Sequence, residues 1–156
     1  MYTLERVQVV PWPLDTTFAF FAAPDNLARI TPPWLGFRIV SPDREMREGL
    51  RIEYRVRPLG FPQTWVSEIT AYDPPHRFVD EQRVGPYALW RHEHRFIAVG
   101  GGTEVRDRVE YALPFGALGR LAHTVLVRRQ LDAIFAYREE ALLRELAHEP
   151  PTGGVG

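Results

Sequence analysis

The chain has 156 residues, a length that suits one domain built around a single hydrophobic core. It has no cysteine and all 19 basic residues are arginine, which excludes disulfides, thiolate chemistry and a lysine Schiff base. The net charge of -1 argues against a nucleic-acid binder, since phosphate recognition normally leaves a basic excess. Without an apolar run of roughly 20 residues or a signal-like N-terminus, the expected location is the cytoplasm.

The N-terminal part of the chain predicts one strand followed by two short helices. Residues 2–10 alternate in polarity, are rich in β-branched side chains and stop at Pro11, which indicates a strand. Two short apolar segments then follow Asp15 and Asp25, and both aspartates suit a helix N-terminus. Pro32 closes the second helix, because proline cannot continue the hydrogen-bond ladder.

From Phe37 to about Pro114 the pattern of apolar residues changes to a period of two, which predicts a meander of six strands. Within residues 50–57, apolar side chains alternate with arginine and glutamate. This alternation is typical of a strand with one buried face and one charged face. The sheet that we expect therefore has seven antiparallel strands, including the strand at residues 2–10.

The C-terminal part predicts a long amphipathic helix, since apolar residues recur at helical spacing from about Leu118 to Ala147. Leu121 and Val125 belong to this apolar pattern. We expect the domain to occupy residues 1–148. Residues 149–156, rich in proline and glycine, are expected to form a flexible tail.

Three arginines of this helix, Arg128, Arg129 and Arg138, could face an acidic ligand. A helix of about thirty residues must place its charges somewhere, however, and a solvated face is the usual place for them. We therefore assign all three arginines to the solvent side of the helix.

The glycines after the fifth strand of the meander predict the register of the last hairpin. Gly100 and Gly101 suit a two-residue turn that requires positive φ. Opposite charges then meet on the outer face, as stable cross-strand pairs should. On the inner face this register pairs Trp90 with Tyr111, His94 with Asp107 and Phe96 with Val105.

A three-residue loop at 85–87 predicts the register of the preceding hairpin in the same way. If both registers hold, one face of the sheet carries two carboxylate-imidazole pairs inside a wall of aromatic rings. The second register pairs Gln82 with Trp90, Asp80 with His92 and Phe78 with His94.

Four titratable groups on one inner face are too many for a filled core, because a buried charge is costly unless it is paired or neutralised. We therefore predict a ligand cavity at this face. The alternative is that the two pairs satisfy each other and only orient the strands. The predicted ligand-binding residues are Tyr54, Trp65, Asp80, Gln82, Trp90, His92, His94, Phe96, Asp107, Tyr111 and Phe135.

The two histidines of the segment His92–His94, with a neighbouring carboxylate, could also hold a metal ion. The carboxylates already account for the imidazoles, however, as partners that orient them. We therefore predict no metal and no cofactor.

Seven segments of the chain, together with the order of its predicted elements, carry a resemblance to known proteins. The segments are Pro24–Leu27, Ile30–Leu35, Trp65–Ile69, Asp73–Asp80, Gly85–Tyr87, Trp90–Phe96 and Asp107–Gly116. They resemble the START-like superfamily, also called SRPBCC, which includes Bet v I allergen-like and polyketide cyclase/dehydratase-like proteins, and the resemblance extends to about residue 147. It implies an α+β helix-grip fold, in which a curved seven-stranded antiparallel sheet and two short helices wrap around a long C-terminal helix.

The resemblance leaves the function open, because such proteins range from carriers and receptors to enzymes. The first hypothesis is binding of a small hydrophobic molecule, such as a lipid or a polyketide-like metabolite, between the sheet and the last helix. The second is a cyclase-, dehydratase- or hydrolase-type enzyme, with His94 and Asp107 as the catalytic acid/base pair. The third is an auxiliary protein with a filled core. The protein is expected to be a monomer or a homodimer, without a nucleic-acid partner or a membrane span.

Overall fold

The computed structural model describes residues 1–148, and it contains all the predicted elements in the predicted order. The predicted tail, 149–156, lies outside the described residues. The strands are β1 Tyr2–Val10, β2 Arg38–Ile39, β3 Arg51–Val56, β4 Gln63–Asp73, β5 Arg77–Val84, β6 Leu89–Val99 and β7 Gly102–Ala112. The helical elements are α1 Leu14–Phe21, α2 Pro24–Arg29, 3-10 turns at Pro33–Leu35 and Pro58–Gly60, α3 Gly116–Ala122, a π-helical segment His123–Val127 and α4 Arg128–His148.

The seven strands form one antiparallel sheet in the order β1-β7-β6-β5-β4-β3-β2. Strands β2 to β7 are therefore the predicted meander, and β1 pairs with the last strand of it. The register between β4 and β5 shifts at two places, between Val66 and Ser67 and between Ile69 and Ala71. Such irregularities bend a strand and increase its twist, which helps the sheet to curve around the helices.

The β6-β7 hairpin has the predicted register, with His94 opposite Asp107 and Val99 opposite Gly102. Only one of the two turn glycines needs the left-handed region, since Gly101 has a φ of 83° and Gly100 does not. The prediction of positive φ was therefore correct for one residue of the turn. Glycine suits that position because it has no Cβ to clash with the backbone.

The β5-β6 hairpin has the predicted register over its inner part, where Asp80 lies opposite His92. The predicted pair of Gln82 and Trp90 is absent from this ladder, which ends at Glu81 and Arg91. The Gln82 side chain instead binds the backbone of Tyr87, donating to its carbonyl at 2.8 Å and accepting from its N–H at 3.1 Å. The Gln82 side chain thus takes the place of the last backbone pairing of this hairpin, and the loop between the two strands is wider than predicted.

The buried face of α4 includes Leu131, Phe135, Arg138 and Leu142, at spacings of four, three and four residues, and also Ala141. These spacings place all four side chains on one face of the helix. None of the described helices is long and apolar enough to cross a membrane.

The first turns of the C-terminal helix differ from the prediction, since Leu121 and Val125 are 61% and 60% exposed. The helix is π-helical at residues 123–127, and the wider π turn changes which side chains face the sheet. His123 is buried there instead, with its Nε2 atom 2.7 Å from the Tyr111 hydroxyl and its ring stacked on Tyr2.

Candidate functional site

A cavity of about 210 Å³ lies between the sheet, the two short helices and α4. It touches members of all three hydrophobic clusters of the core. Most of its lining is apolar or aromatic, and its polar side chains include Ser67, Asp80, His92, His94 and Arg138. An apolar cavity with a few polar groups is the usual form of a small-molecule site.

Seven of the predicted ligand-binding residues line this cavity, and four do not. The lining residues among them are Tyr54, Trp65, Asp80, Trp90, His92, His94 and Phe135. The remaining four are Gln82, Phe96, Asp107 and Tyr111, and the structure places each of them in another environment.

The four side chains outside the cavity have structural partners. Gln82 closes the β5-β6 loop, and Phe96 packs in the core with its ring centroid 5.3 Å from that of Phe18. Tyr111 is fully buried against the helix that follows β7. Asp107 binds His92 from the adjacent strand. Alternation along a strand correctly placed these residues on the inner face, but it does not distinguish a cavity wall from packed core.

Asp80, His92, His94 and Asp107, which we call the histidine-carboxylate cluster, are connected differently from the prediction. His94 lies opposite Asp107 in the ladder, but its Nε2 atom is 2.7 Å from Oδ2 of Asp80. The Nε2 atom of His92 is 2.8 Å from Oδ1 of Asp107. The short bonds are thus diagonal rather than directly cross-strand, because strand twist brings diagonal neighbours within reach of long side chains.

Asp107 is the carboxylate of the cluster that contacts both imidazoles and Arg138. Its Oδ1 atom also lies 3.4 Å from Nδ1 of His94 and 3.6 Å from Nη2 of Arg138, contacts that are electrostatic rather than hydrogen bonds. The prediction that Arg138 faces solvent was wrong, since the residue is only 9% exposed. Arg128 and Arg129 are exposed as predicted.

Burial and neighbouring positive charges shift the pKa values of the two carboxylates in opposite directions. Burial by itself raises the pKa of Asp107, but Arg138 and the bond to His92 hold that pKa well below its ordinary value. Burial likewise raises the pKa of Asp80, and the bond to His94 outweighs this and lowers it. Both groups are therefore carboxylates at neutral pH.

The pKa values of the two imidazoles shift in opposite directions, although both side chains are buried in the same cluster. Burial lowers the pKa of His94, but Asp107 and Asp80 outweigh it, so the net pKa is raised. Burial and the neighbouring His94 lower the pKa of His92, and the bond to Asp107 offsets this only in part. The rings stack with their centroids 3.7 Å apart, so two positive charges would lie side by side. The pair therefore favours one proton on His94.

We expect His94 to titrate above 6.5 and His92 below it, on either side of the ordinary value for both residues. The raised pKa of His94 stabilises the fold below pH about 6.5, and this contribution is lost as the pH rises through the folded pKa. The lowered pKa of His92 acts oppositely, since stability falls as the pH drops below about 6.5. NMR titration of the imidazole protons measures both values, with His92→Gln and His94→Gln for assignment. Two coincident titrations would contradict the assignment of the single proton to His94.

A second polar group lies on the cavity wall formed by β3 and β4. The Ser67 hydroxyl is 2.8 Å from the Tyr54 hydroxyl and accepts a hydrogen bond from the Trp65 indole N–H at 2.9 Å. Burial, with a smaller contribution from Asp80, raises the pKa of Tyr54. Tyr54 is therefore a neutral phenol at neutral pH.

Asp80, His92 and His94 could also hold a metal ion, since one potential ligand atom from each lies within 4.8 Å of the others. Both imidazoles already have carboxylate partners, and Arg138 adds a positive charge to the cluster. A bound cation would have to displace these contacts. The absence of a metal stays a prediction, which elemental analysis of the purified protein tests.

The sequence indicates Arg138 as a possible ligand contact but favours a solvent position for it, and the predicted site residues do not include the apolar residues, other than Phe135, that the helical segments contribute to the cavity. The signal for Arg138 was its position, three residues after Phe135 and seven after Leu131 on the apolar stripe of the helix. The other missed lining residues include Phe20, Phe21, Leu27, Ile30, Leu131 and Ile134. Their apolar character predicts burial, but only the packing of the helices on the sheet shows that they border a cavity.

The sequence matches a family described as polyketide cyclase / dehydrase and lipid transport over residues 10–135. The chain belongs to this family. The match confirms the START-like resemblance, and it covers the cavity-lining residues except Arg138. No curated protein matches the sequence significantly.

Solved structures with the same fold share little sequence with this member of the family. A Rhodobacter sphaeroides protein is 21% identical, with a TM-score of 0.68, over 94% of this chain and 93% of its own. A Thermus thermophilus protein is 19% identical, with a TM-score of 0.64, over 92% of this chain and 98% of its own. The protein Ara h 8.0201 is 18% identical, with a TM-score of 0.62, over 92% and 98% respectively. At such identities the similarity shows the fold alone, and that fold is the predicted helix-grip fold.

Proposed function

We propose that the protein binds a small, largely apolar molecule in the cavity, with the polar end of the molecule against the histidine-carboxylate cluster. The observation that carries this proposal is an apolar cavity whose wall contains buried, titratable side chains on adjacent strands. The family description, which includes lipid transport, supports a ligand-binding function. Aromatic and aliphatic side chains supply most of the contact area, and the polar groups orient the ligand.

The size of the cavity restricts the ligand. A volume of about 210 Å³ is smaller than the roughly 300–1,000 Å³ of pockets for drug-sized molecules. The aromatic residues Tyr54, Trp65 and Trp90 on one wall suit a flat ring or a short acyl chain. A cavity of this kind does not favour the third hypothesis, an auxiliary protein with a filled core.

Native mass spectrometry of the protein purified from its own host tests this proposal, because a copurified ligand adds mass that denaturation removes. Isothermal titration calorimetry with octanamide and 2-naphthamide provides a second test with neutral apolar probes. We expect Ile134→Trp, at the cavity wall, to weaken probe binding about ten-fold or more, about 1.4 kcal/mol. Leu143→Trp is the matched control, since Leu143 is 53% exposed on the same helix. Equal effects of the two substitutions would contradict binding in this cavity.

The second candidate function is an enzyme that moves a proton to or from the bound molecule. The observation that favours it is that His92, an imidazole on the cavity wall, has a lowered pKa and a carboxylate partner. A neutral imidazole held by a carboxylate is the usual form of a general base. The pair proposed for this role is therefore His92 with Asp107, in place of His94 with Asp107.

Incubation of a copurified compound with fresh protein, followed by mass spectrometry, distinguishes the two functions. If the protein is an enzyme, a product appears, and His92→Gln lowers its rate of formation while binding is largely retained. If the protein is a carrier, the compound is recovered unchanged and His92→Gln affects only the affinity.

A further inference from the structure

Arg138 is a buried cation with an unsatisfied hydrogen-bond donor among the described residues. Its side chain is 11% exposed, and its guanidinium lies over the rings of Phe21 and Phe135, at 5.2 and 5.7 Å from their centroids. Its nearest anion is Asp107, at 3.6 Å. Within the part of the chain that the structure describes, its Nη2 atom is buried without a hydrogen-bond partner. A guanidinium has five N–H donors, and leaving buried donors unpaired is unfavourable.

The environment of Arg138 connects this donor group to the cavity. Arg138, His94 and Asp80 all line the cavity, so a bound molecule can reach the guanidinium without crossing the sheet. Phe21 and Phe135, whose rings contact the guanidinium, are cavity residues as well. Low polarity around the guanidinium strengthens any charged hydrogen bond that it forms.

The carboxylates of the cluster do not satisfy this guanidinium. Asp80 has its short hydrogen bond with His94, and Asp107 has its short hydrogen bond with His92. Both carboxylates are thus committed to imidazoles, and Arg138 retains only a long contact. The flat, forked arrangement of its N–H groups matches a carboxylate, which can accept two hydrogen bonds at once.

The charges of the cluster can accommodate one more acid group. With His94 protonated, the two carboxylates balance one imidazolium and the guanidinium of Arg138. Arg138 is the cation of this set that has only a long contact with its anion and a buried donor without a partner among the described residues. The ligand group that fits beside it is therefore an anion, whereas a basic group would place a second cation there.

Resting on the proposed function, we propose that the ligand is an organic acid whose carboxylate binds the guanidinium of Arg138, while its apolar part fills the cavity. Arg138 is then the residue that selects the acid over a neutral molecule of the same shape. The aromatic walls can contact apolar groups of various shapes, whereas the guanidinium requires a group that accepts two hydrogen bonds at once.

Calorimetry with two matched pairs of probes tests this proposal, namely octanoate with octanamide and 2-naphthoate with 2-naphthamide. Each amide has nearly the shape of its acid and lacks the charge. We expect the wild-type protein to bind the carboxylate of at least one pair about ten-fold more tightly than the amide, since a charged hydrogen bond contributes more than a neutral one. Arg138→Met, which keeps the length of the side chain, is expected to remove this preference and retain amide binding. Arg129→Met, an exposed arginine of the same helix, is the control that leaves both affinities unchanged.

The outcomes separate this proposal from the proposed function. Equal affinity of the wild type for acid and amide would overturn the role of Arg138 but leave ligand binding intact. A preference that persists in Arg138→Met would also overturn it. Binding of neither member of either pair would count against the proposed function itself. If Arg138→Met does not fold, Arg138→Lys replaces it. We then expect a smaller preference for the acid over the amide, because an ammonium lacks the paired donor geometry of a guanidinium.

Discussion

Replacing Asp107 by asparagine is expected to lower the free energy of unfolding by about 3–5 kcal/mol, the usual cost of breaking a buried ion pair. The carboxylate accepts the hydrogen bond from His92 and compensates the charges of Arg138 and His94. Its side chain is 11% exposed, so water cannot take over these roles. Asparagine keeps the shape of aspartate, which separates the loss of charge from a loss of packing. Chemical denaturation monitored by circular dichroism measures the change.

Asp132→Asn is the matched control for this prediction. Asp132 forms an ion pair with Arg6 at 2.7 Å, but its side chain is 46% exposed. Its loss is expected to cost less than about 1 kcal/mol, as for most exposed ion pairs. Adding Arg138→Met to Asp107→Asn should recover part of the lost stability, because it removes the uncompensated guanidinium. Similar costs for Asp107→Asn and Asp132→Asn would mean that the cluster is solvated in solution.

The same substitution changes the pH dependence of stability. The pKa of Asp107 is lowered by folding, so its contribution is present above its unfolded pKa of about 3.9 and is lost as the pH falls through the folded pKa. Asp107→Asn is therefore expected to show a smaller loss of stability on acidification below pH about 4 than the wild type. Parallel curves for the two proteins would contradict this contribution. Denaturation at a series of pH values gives the comparison.

Replacing Phe96 by alanine is expected to lower the free energy of unfolding by about 3–5 kcal/mol, the usual cost of a large-to-small change in a core. Phe96 is 1% exposed. Its ring contacts those of Phe18, Phe21 and Phe78, with centroid separations of 5.3, 5.4 and 6.0 Å. Alanine leaves a cavity between α1 and the sheet that the surrounding rings cannot fill without moving. Chemical denaturation measures the loss.

Phe61→Ala removes the same side chain from an exposed position, since Phe61 is 72% exposed, and is expected to change stability by less than about 0.5 kcal/mol. The two substitutions also differ in their effect on the site. Phe21 and Phe78 line the cavity, so the loss of Phe96 support is expected to weaken octanamide binding as well. An unchanged affinity in a folded Phe96→Ala variant would show that these two rings hold their positions without it.

The hairpin registers could be predicted from the sequence because local constraints determine them. The two-residue turn at Gly100 and Gly101 leaves one register that pairs opposite charges and aromatic rings, and the structure has that register. The prediction for Gln82 failed because its side chain competes with the ladder for the Tyr87 backbone. Side-chain competition of this kind does not appear in a pattern of polarity.

The connections within the histidine-carboxylate cluster could not be predicted from the same registers. The register places His94 opposite Asp107, but the short bond of His94 goes to Asp80 on the other side. Twist and side-chain rotamers decide between direct and diagonal partners, and both depend on the whole sheet.

Turn residues and apolar periodicity act over a few residues, and from them the sequence predicts the order of the elements, the register of the last hairpin and the inner part of the register of the hairpin before it. The sequence pattern does not distinguish packed core from a cavity wall, whereas the structure places Phe96 in packed core, Phe135 on a cavity wall and Arg138 on the inward side of its helix. These outcomes depend on where α1 and α4 lie against the sheet. A charged residue on an apolar stripe is buried only if another element supplies its counter-charge, and here Asp107 of β7 does so, 31 positions away along the chain.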